Sequence, residues 1–243
     1  MKIVAMIQAR MGSTRLPGKV MRDLGGDTVL ARVVRRVERS EEIERVIVAT
    51  SDAESDEMIV KECRRLGVDC FRGSEDDVLD RYYQAAKSLS PDVVVRITSD
   101  CPAIDPEIVD KTILAFRKAR ADYGSNALER TYPRGLDNEV MTLAALERCW
   151  KEARHPYQRA HVTPYVYENP SLFRMVSVKG DADYSQHRWT LDTADDLDFL
   201  RALYGQLGNR DDFSWREALA VVEDKPALAE MNRHIAQKAL HEG

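Results

Sequence analysis

The chain has 243 residues, 44% of them hydrophobic, and a formal net charge of -5 at pH 7. This length and composition suffice for one sizeable core, so we predict a single domain over residues 1–243. The acidic balance argues against broad electrostatic binding of nucleic acid.

No apolar run approaches the ~18 residues that a membrane span needs, and the N-terminus lacks a signal-peptide pattern, so we expect a cytoplasmic protein without a membrane partner. The cysteines lack zinc-site spacing and are expected to be reduced structural thiols: Cys63, Cys70, Cys101 and Cys149.

Apolar and amphipathic segments alternate along the first part of the chain. Ile3 to Ile7 has the pattern of a buried strand, and "TVLARVVRRVERS" that of a helix. The alternation continues through "ERVIVATSD", "ESDEMIVKECRRLG", "VDCF", "SEDDVLDRYYQAAKSL" and "DVVVRITSD". Strands that alternate with helices imply right-handed crossovers, so we predict an α/β fold with a mainly parallel sheet and helices on both faces.

The alternation breaks between Asp122 and Tyr184. We interpret residues 125–185 as a small insertion that covers the ligand crevice or forms a subunit contact, with a helix at "LAALERCWKEA" and a strand near "FRMVSVKG". The segment "RWTLDTADDLDFLRALYGQLG" resumes the strand-to-helix pattern. Two further amphipathic helices are predicted after it.

The loop after the first strand, "MIQARMGSTRLPGK", combines glycines with cations. Gly12 and Ser13 favour exposed backbone N–H groups, and the basic side chains lie at the rim: Arg10, Arg15 and Lys19. These features together indicate a polyphosphate site. A P-loop is excluded because five residues separate the two loop glycines and no hydroxyl residue follows the lysine. The G-x-G-x-x-G dinucleotide fingerprint is also missing, which leaves a solvated surface loop as the alternative.

Two aspartates occupy predicted strand ends. Asp100 ends "VVVRITSD" and Asp192 lies in "WTLDTADDL". The carboxyl ends of parallel strands share one crevice, so both side chains are candidate ligands of Mg²⁺. A turn before Cys-Pro is the alternative for Asp100, and helix N-capping, which Thr193 could also provide, is the alternative for Asp192. We interpret Asp195 and Asp196 as compensating the dipole of the following helix.

The segments "IQARMGSTRLPGKVMRDLGGDTVL" and "LDTADDL" resemble the nucleotide-sugar cytidylyltransferases of the acylneuraminate and 3-deoxy-manno-octulosonate type, and most of all spore-coat polysaccharide biosynthesis protein F. The resemblance implies a nucleotide-diphospho-sugar transferase fold and a homodimer. It implies Mg²⁺-dependent transfer of CMP from CTP to an acidic sugar, of the 2-keto-3-deoxy or nonulosonic acid type, with release of pyrophosphate. Surface polysaccharide or glycan biosynthesis is the implied process.

The resemblance also assigns roles to individual positions. It implies that Arg15 and Lys19 bind the triphosphate and that Asp100 and Asp192 hold the metal ion. The other implied or predicted nucleotide contacts are Ala9, Arg10, Gly12, Ser13, Ser74 and Arg81. Gln8 replaces the proline of the octulosonate enzymes and leaves the contact to the base edge open. For Arg81, an ion pair with Asp77 on the helix surface is the alternative.

Candidate contacts to the acceptor sugar lie in and after the insertion. The segment "YPRGLDNEVMT" contributes Arg134, Asp137 and Glu139, where an arginine could bind a sugar carboxylate or where the residues form an ordinary charged hairpin. His187 and Arg188 precede Asp192 and are expected to line the same pocket. Aromatic and histidine residues of the insertion are expected at a subunit interface: His155, Tyr157, His161, Tyr165 and Tyr167.

Two other functions fit the same residues. One is a nucleotidyltransferase that acts on a sugar 1-phosphate or another small phosphorylated acceptor. The other is a catalytically silent nucleotide-binding subunit, which the joint presence of basic loop residues and two strand-end carboxylates disfavours.

Overall fold

The computed structural model describes residues 1–237. Its strands are β1 (Ile3–Gln8), β2 (Arg45–Ser51), β3 (Asp69–Gly73), β4 (Val93–Thr98), β5 (Tyr123–Ser125), β6 (Glu139–Thr142) and β7 (Met175–Ser177). Its α-helices are α1 (Val29–Val37), α2 (Glu57–Leu66), α3 (Val78–Leu89), α4 (Pro106–Ala119), α5 (Leu143–Glu152), α6 (Pro156–His161), α7 (Pro164–Glu168), α8 (Ala194–Gln206), α9 (Trp215–Asp224) and α10 (Pro226–Glu230). Short 3₁₀ turns span Lys19–Met21 and Glu54–Asp56.

In the described part of the chain, seven strands form one sheet in the order β3-β2-β1-β4-β6-β5-β7. Strands β1 to β4 pair in parallel, and β6 runs antiparallel to both β4 and β5. Alternate residues of each strand enter two different cores: Ile7 packs with α1 and α4, whereas Met6 packs with α3 and α5. The predicted mainly parallel sheet with helices on both faces is therefore confirmed.

The segment at residues 125–185 extends the sheet as well as lying beside it. It contributes β6, which lies directly beside β4, and β7 at the edge of the sheet. The predicted strand near "FRMVSVKG" and the helix at "LAALERCWKEA" are both present, as β7 and α5. Because β6 is antiparallel, its first residue, Glu139, lies opposite Arg96 near the end of β4 where the predicted crevice opens.

The strand predicted at "RWTLD" is wrong. Only Arg188 of this segment makes an isolated bridge, to Arg134, while Trp189 and Leu191 are buried in a separate cluster with α8 and α9. Gly135 permits the close approach of the two segments, since a side chain there would lie 2.5 Å from the carbonyl carbon of Trp189. The apolar alternation of this segment thus reflects burial against helices and not sheet pairing. The helix predicted after it is present as α8.

Arg36 of α1 links three segments of the core and is fully buried. Its Nε donates to the Ile104 carbonyl at 2.6 Å, and its terminal nitrogens donate to the carbonyls of Asp211 at 2.8 Å and Phe213 at 2.9 Å. The guanidinium also lies 3.8 Å from the centre of the Phe213 ring. The guanidinium therefore fixes the loop after β4, which carries Asp100, against the loop between α8 and α9.

No helix within residues 1–237 combines the length and the apolar character needed to cross a membrane.

We expect Arg36→Lys to lower the free energy of unfolding by about 2 to 4 kcal/mol, because one ammonium cannot take the place of a guanidinium that donates to three carbonyls on two separate segments. Urea denaturation measures this difference. The matched control is Arg39→Lys, an exposed position two residues after α1, where we expect a change below about 0.5 kcal/mol. Equal stability of the two variants would contradict the role given to Arg36.

Candidate functional site

The loop between β1 and the turn at Lys19 is closed by hydrogen bonds at its base. The N–H of Met11 donates to the buried carboxylate of Asp56 at 2.7 Å, and the N–H of Gly18 donates to the Met11 carbonyl at 3.0 Å. Gly18 has a φ of 66°, which favours glycine. Within the described residues, the N–H groups of residues 12–15 donate to no protein acceptor. A row of available N–H groups is an arrangement that binds anionic oxygens.

Lys19 joins this loop to the two predicted metal-binding carboxylates. Asp100 follows the end of β4, whereas Asp192 lies before α8 and, contrary to the expectation, does not end a strand. Its Nζ lies 2.7 Å from Asp100 Oδ2 and 2.9 Å from Asp192 Oδ1, and it donates to the Leu191 carbonyl at 2.8 Å. Burial lowers the pKa of Lys19, but the charges of the two aspartates outweigh burial and raise the pKa above its ordinary value. Lys19 is therefore an ammonium at neutral pH, and the two aspartates share one charge partner.

Asp192 is surrounded by cations. Besides Lys19, its Oδ2 lies 3.1 Å from Arg15 Nη2 and 2.8 Å from Arg188 Nη2. Burial acts to raise the pKa of Asp192, but Lys19, Arg188 and Arg15 outweigh burial and hold the pKa at about 2. The predicted catalytic residues Arg15, Lys19, Asp100 and Asp192 thus lie together in one cluster, with Asp192 ionised across the physiological range.

Thr193, and not Asp192, caps helix α8. The Thr193 hydroxyl accepts from the N–H of Asp196, and the Asp196 carboxylate accepts in return from the N–H of Thr193 at 3.0 Å. The N-cap alternative for Asp192 is therefore wrong, and its carboxylate faces the cations. The interpretation of Asp196 as simple dipole compensation is also incomplete, because Asp196 is fully buried and binds Arg188.

Arg188 is held by its neighbours in the protein. Its Nε and Nη2 donate to the two oxygens of Asp196 at 2.9 and 3.0 Å, and its Nη1 donates to Gln237 Oε1 at 2.9 Å. Asn232 supports this fork: its Nδ2 donates to the Arg188 carbonyl at 2.9 Å and to Asp196 at 3.0 Å. Arg188, predicted to bind substrate, is thus placed to orient Asp192. The sequence motif Thr193-x-x-Asp196 signals the cap, but nothing local signals Asn232.

The predicted nucleotide contacts border the same loop. Ala9 is buried at the end of β1, where its N–H donates to the Ala49 carbonyl, and Arg10 is exposed next to it. Arg81 is buried and donates to the Ser74 carbonyl at 2.8 Å, which joins the two predicted cytidine contacts. The alternative pairing of Arg81 with Asp77 is wrong, because Asp77 instead accepts from Arg159 at 2.7 Å.

The Nε of Arg81 and the Oε1 of Gln8 are buried without a hydrogen-bond partner in the described residues. Gly12 lies near Glu75, which would be 3.6 Å from a side chain at that position, and the Ser13 hydroxyl accepts from the N–H of Leu16 at 3.4 Å.

The predicted acceptor contacts divide into two groups. Asp137 pairs with Arg130 at 2.7 Å, and Glu139 pairs with Arg96 and accepts from the Thr163 hydroxyl at 2.6 Å. These carboxylates are therefore already neutralised within the protein.

Arg134 and His187 belong to the second group. Together with Arg188 they border a cavity of about 350 Å³. Burial and the neighbouring charge of Arg130 lower the pKa of Arg134, and burial lowers the pKa of His187. Burial and a neighbouring positive charge disfavour the charged form of Arg134, so a bound anion would stabilise this arginine.

The donor set fits one hard divalent cation. Asp100, Asp192 and the Leu191 carbonyl all place oxygen atoms around Lys19 Nζ. No group of three or more His, Cys, Asp or Glu side chains in residues 1–237 is placed to hold a metal ion. Two carboxylates, completed by phosphate oxygens and waters, are the set that Mg²⁺ commonly uses.

Asp192→Asn is expected to destabilise the protein in a pH-dependent way. Because folding lowers the pKa of Asp192 from 3.8 to about 2, the ionised carboxylate contributes about 2 kcal/mol of stability above pH 4, and this is lost as the pH falls through 2. The stability difference from wild type, measured by urea denaturation, should shrink between pH 4 and pH 2.

The matched control is Asp198→Asn, which changes an exposed aspartate of α8. A difference for Asp192→Asn that is the same at pH 7 and pH 2 would show that its carboxylate is not held by the three cations.

Comparison with known proteins shows the family of the chain. Residues 4–224 match the family described as Cytidylyltransferase. The spore coat polysaccharide biosynthesis protein SpsF of Bacillus subtilis is 36% identical over 93% of this chain and 96% of its own length. The 3-deoxy-manno-octulosonate cytidylyltransferase of Rhizobium etli is 28% identical over 96% of this chain and 94% of its own length. A cytidylyltransferase structure from Leptospira borgpetersenii has a TM-score of 0.91 at 35% identity, covering 98% of this chain and all of the other. The chain belongs to the cytidylyltransferase family and is a nucleotidyltransferase.

Proposed function

We propose that this cytidylyltransferase transfers CMP from CTP to an acidic sugar of the 2-keto-3-deoxy or nonulosonic acid type, with release of pyrophosphate, for surface polysaccharide or glycan biosynthesis. The observation that carries the proposal is the contact of Lys19 with both Asp100 and Asp192 at the rim of an anion-binding loop. The names of the Bacillus and Rhizobium relatives support the acidic acceptor and the polysaccharide process.

The loop positions the triphosphate. The available N–H groups of residues 12–15 receive phosphate oxygens, and Arg15 and Lys19 balance the charge that develops on the departing pyrophosphate. Direct displacement at the α-phosphorus needs in-line positioning and charge neutralisation more than a nucleophilic side chain. The reaction therefore proceeds without a covalent enzyme intermediate.

Asp100 and Asp192 would hold Mg²⁺. When bound, the metal ion supplies Lewis-acid polarisation of the α-phosphoryl oxygen and acidification of the attacking hydroxyl. Asp196 and Asn232 fix Arg188, and Arg188 fixes the Asp192 carboxylate toward this position. Ala9, Arg10, Ser74 and the buried Arg81 would contact the nucleoside.

The charges of the side chains indicate which of them bind the acceptor sugar. Arg134 has no ion-pair partner within residues 1–237 and borders the cavity with His187, so it suits the carboxylate of an acidic sugar. Asp137, which is close enough to Arg134 to affect its pKa, is already paired with Arg130, and Glu139 is already paired with Arg96.

We also propose a cytoplasmic homodimer that associates through residues 125–185. This segment exposes Leu172, whose relative exposure is 38%, and carries the stacked rings of His155 and Tyr157. Light scattering after size exclusion would give the number of subunits, and a monomer at micromolar concentration would refute the dimer.

Release of pyrophosphate tests the reaction. The purified protein is given each of the four nucleoside triphosphates with Mg²⁺ and a panel of acidic sugars and sugar 1-phosphates. We expect release only with CTP and an acidic sugar, and its abolition in Asp100→Asn with CTP still bound, because the variant removes one metal ligand. The control, Asp110→Asn, changes an aspartate of α4 that contacts Ser40. Release with a sugar 1-phosphate, or near-normal release by Asp100→Asn, would contradict the proposal.

Asn232→Ala tests the positioning of Asp192. Because Asn232 supports both Arg188 and Asp196, we expect the Mg²⁺ concentration for half-maximal pyrophosphate release to rise by about fivefold or more, with a loss of about 1 to 3 kcal/mol in stability.

The matched control for this prediction is Asn169→Ala, which also removes an amide that donates to a carbonyl, that of Tyr165 at 2.8 Å, but in the insertion. If Asn232→Ala loses stability but keeps the wild-type Mg²⁺ dependence, Asn232 has only a structural role.

A further inference from the structure

The ammonium of Lys19 fills the space between the two carboxylates. An ammonium has three N–H donors, and Lys19 Nζ has three oxygen acceptors: Asp100 at 2.7 Å, Leu191 at 2.8 Å and Asp192 at 2.9 Å. Each donor thus has an acceptor. A divalent ion bound by both aspartates would need the oxygens that the ammonium now occupies.

The charges around this position already balance. The three cations and three carboxylates pair with one another. Arg188 pairs with Asp196, while Lys19 and Arg15 pair with Asp100 and Asp192. A divalent ion that entered alone would leave two uncompensated positive charges in a largely buried cluster, where such charges are poorly screened. A nucleoside triphosphate that entered with it would supply the missing negative charge.

Lys19 is placed to move from the two carboxylates to a bound triphosphate. It begins the 3₁₀ turn directly after Gly18, the residue whose N–H closes the loop onto Met11. The available N–H groups of residues 12–15 therefore lie in the loop that ends at Lys19. The flexible stem of a lysine lets its ammonium leave the carboxylates for a phosphate bound by that loop while the backbone stays in place.

We infer that Lys19 is a resident counter-cation that keeps divalent metal out of the Asp100–Asp192 site until a nucleoside triphosphate draws its ammonium away. Metal and nucleotide then enter the site together, and each raises the affinity for the other. This inference rests on the proposed function, since it assigns the order of binding at the same site.

The test measures binding of Mn²⁺ without nucleotide, by the loss of the electron paramagnetic resonance signal of the free ion. We expect wild-type protein to bind Mn²⁺ weakly and Lys19→Met to bind it about tenfold or more tightly, because the competing ammonium is gone. Adding Asp192→Asn to Lys19→Met should abolish the gain. The control is Lys118→Met, an exposed position near the end of α4, which should bind Mn²⁺ as the wild type does.

Lys19→Gln, which keeps a hydrogen-bond donor without the charge, is measured in parallel, and circular dichroism with thermal unfolding establishes that each variant is folded. If folded Lys19→Met and Lys19→Gln bind Mn²⁺ no more tightly than wild type, the inference is overturned. Pyrophosphate release by the wild type with CTP separates the two proposals, since release without the gain in Mn²⁺ affinity would remove the counter-cation role and leave the proposed function intact.

Discussion

The bridge from Lys19 to Asp100 and Asp192 is the interaction on which the site depends. It joins the loop after β1, the end of β4 and the segment before α8, three parts of the chain that no local interaction would bring together. In a cluster this buried, the charges must compensate one another, since an unpaired carboxylate or ammonium would be strongly destabilising. The cations around Asp192 therefore stabilise the folded protein, and they are also the partners of this carboxylate before substrate binds.

Much of the fold could be predicted from the sequence because its patterns are local. The alternation of apolar strands with amphipathic helices predicted a mainly parallel sheet, and the strand near "FRMVSVKG" and the helix at "LAALERCWKEA" were also predicted. The strand at "RWTLD" was wrong because burial against α8 and α9 produces the same apolar alternation as sheet pairing. Periodicity reports which residues are buried and does not report what covers them.

The residues of the site also divide into those that a local sequence pattern predicts and those that only tertiary packing explains. The loop and Asp100 were predictable, because glycines, cations and a carboxylate after a strand have chemical meanings that hold without a structure. Asp192 lies beside Lys19 although the strand predicted before it is absent. Arg188 was expected to contact substrate, and only its fork on Asp196 shows that it can act on Asp192. Asn232 and Asp56 could not be predicted, since each acts through a buried hydrogen bond to a residue far away in sequence. Such contacts depend on tertiary packing and leave no local pattern.

The contact of Asn232 with Arg188 and Asp196 has a consequence for biosynthesis of the protein. The cluster draws on residues from Arg15 to Asn232, so its two ends are separated by nearly the whole chain. A chain emerging from the ribosome can pair β1 to β4 early, because those strands follow one another closely in sequence. The contacts that hold Arg188 against Asp192 are complete only after Asn232 has emerged, so the nascent chain remains without a complete site long after β1 to β4 can pair.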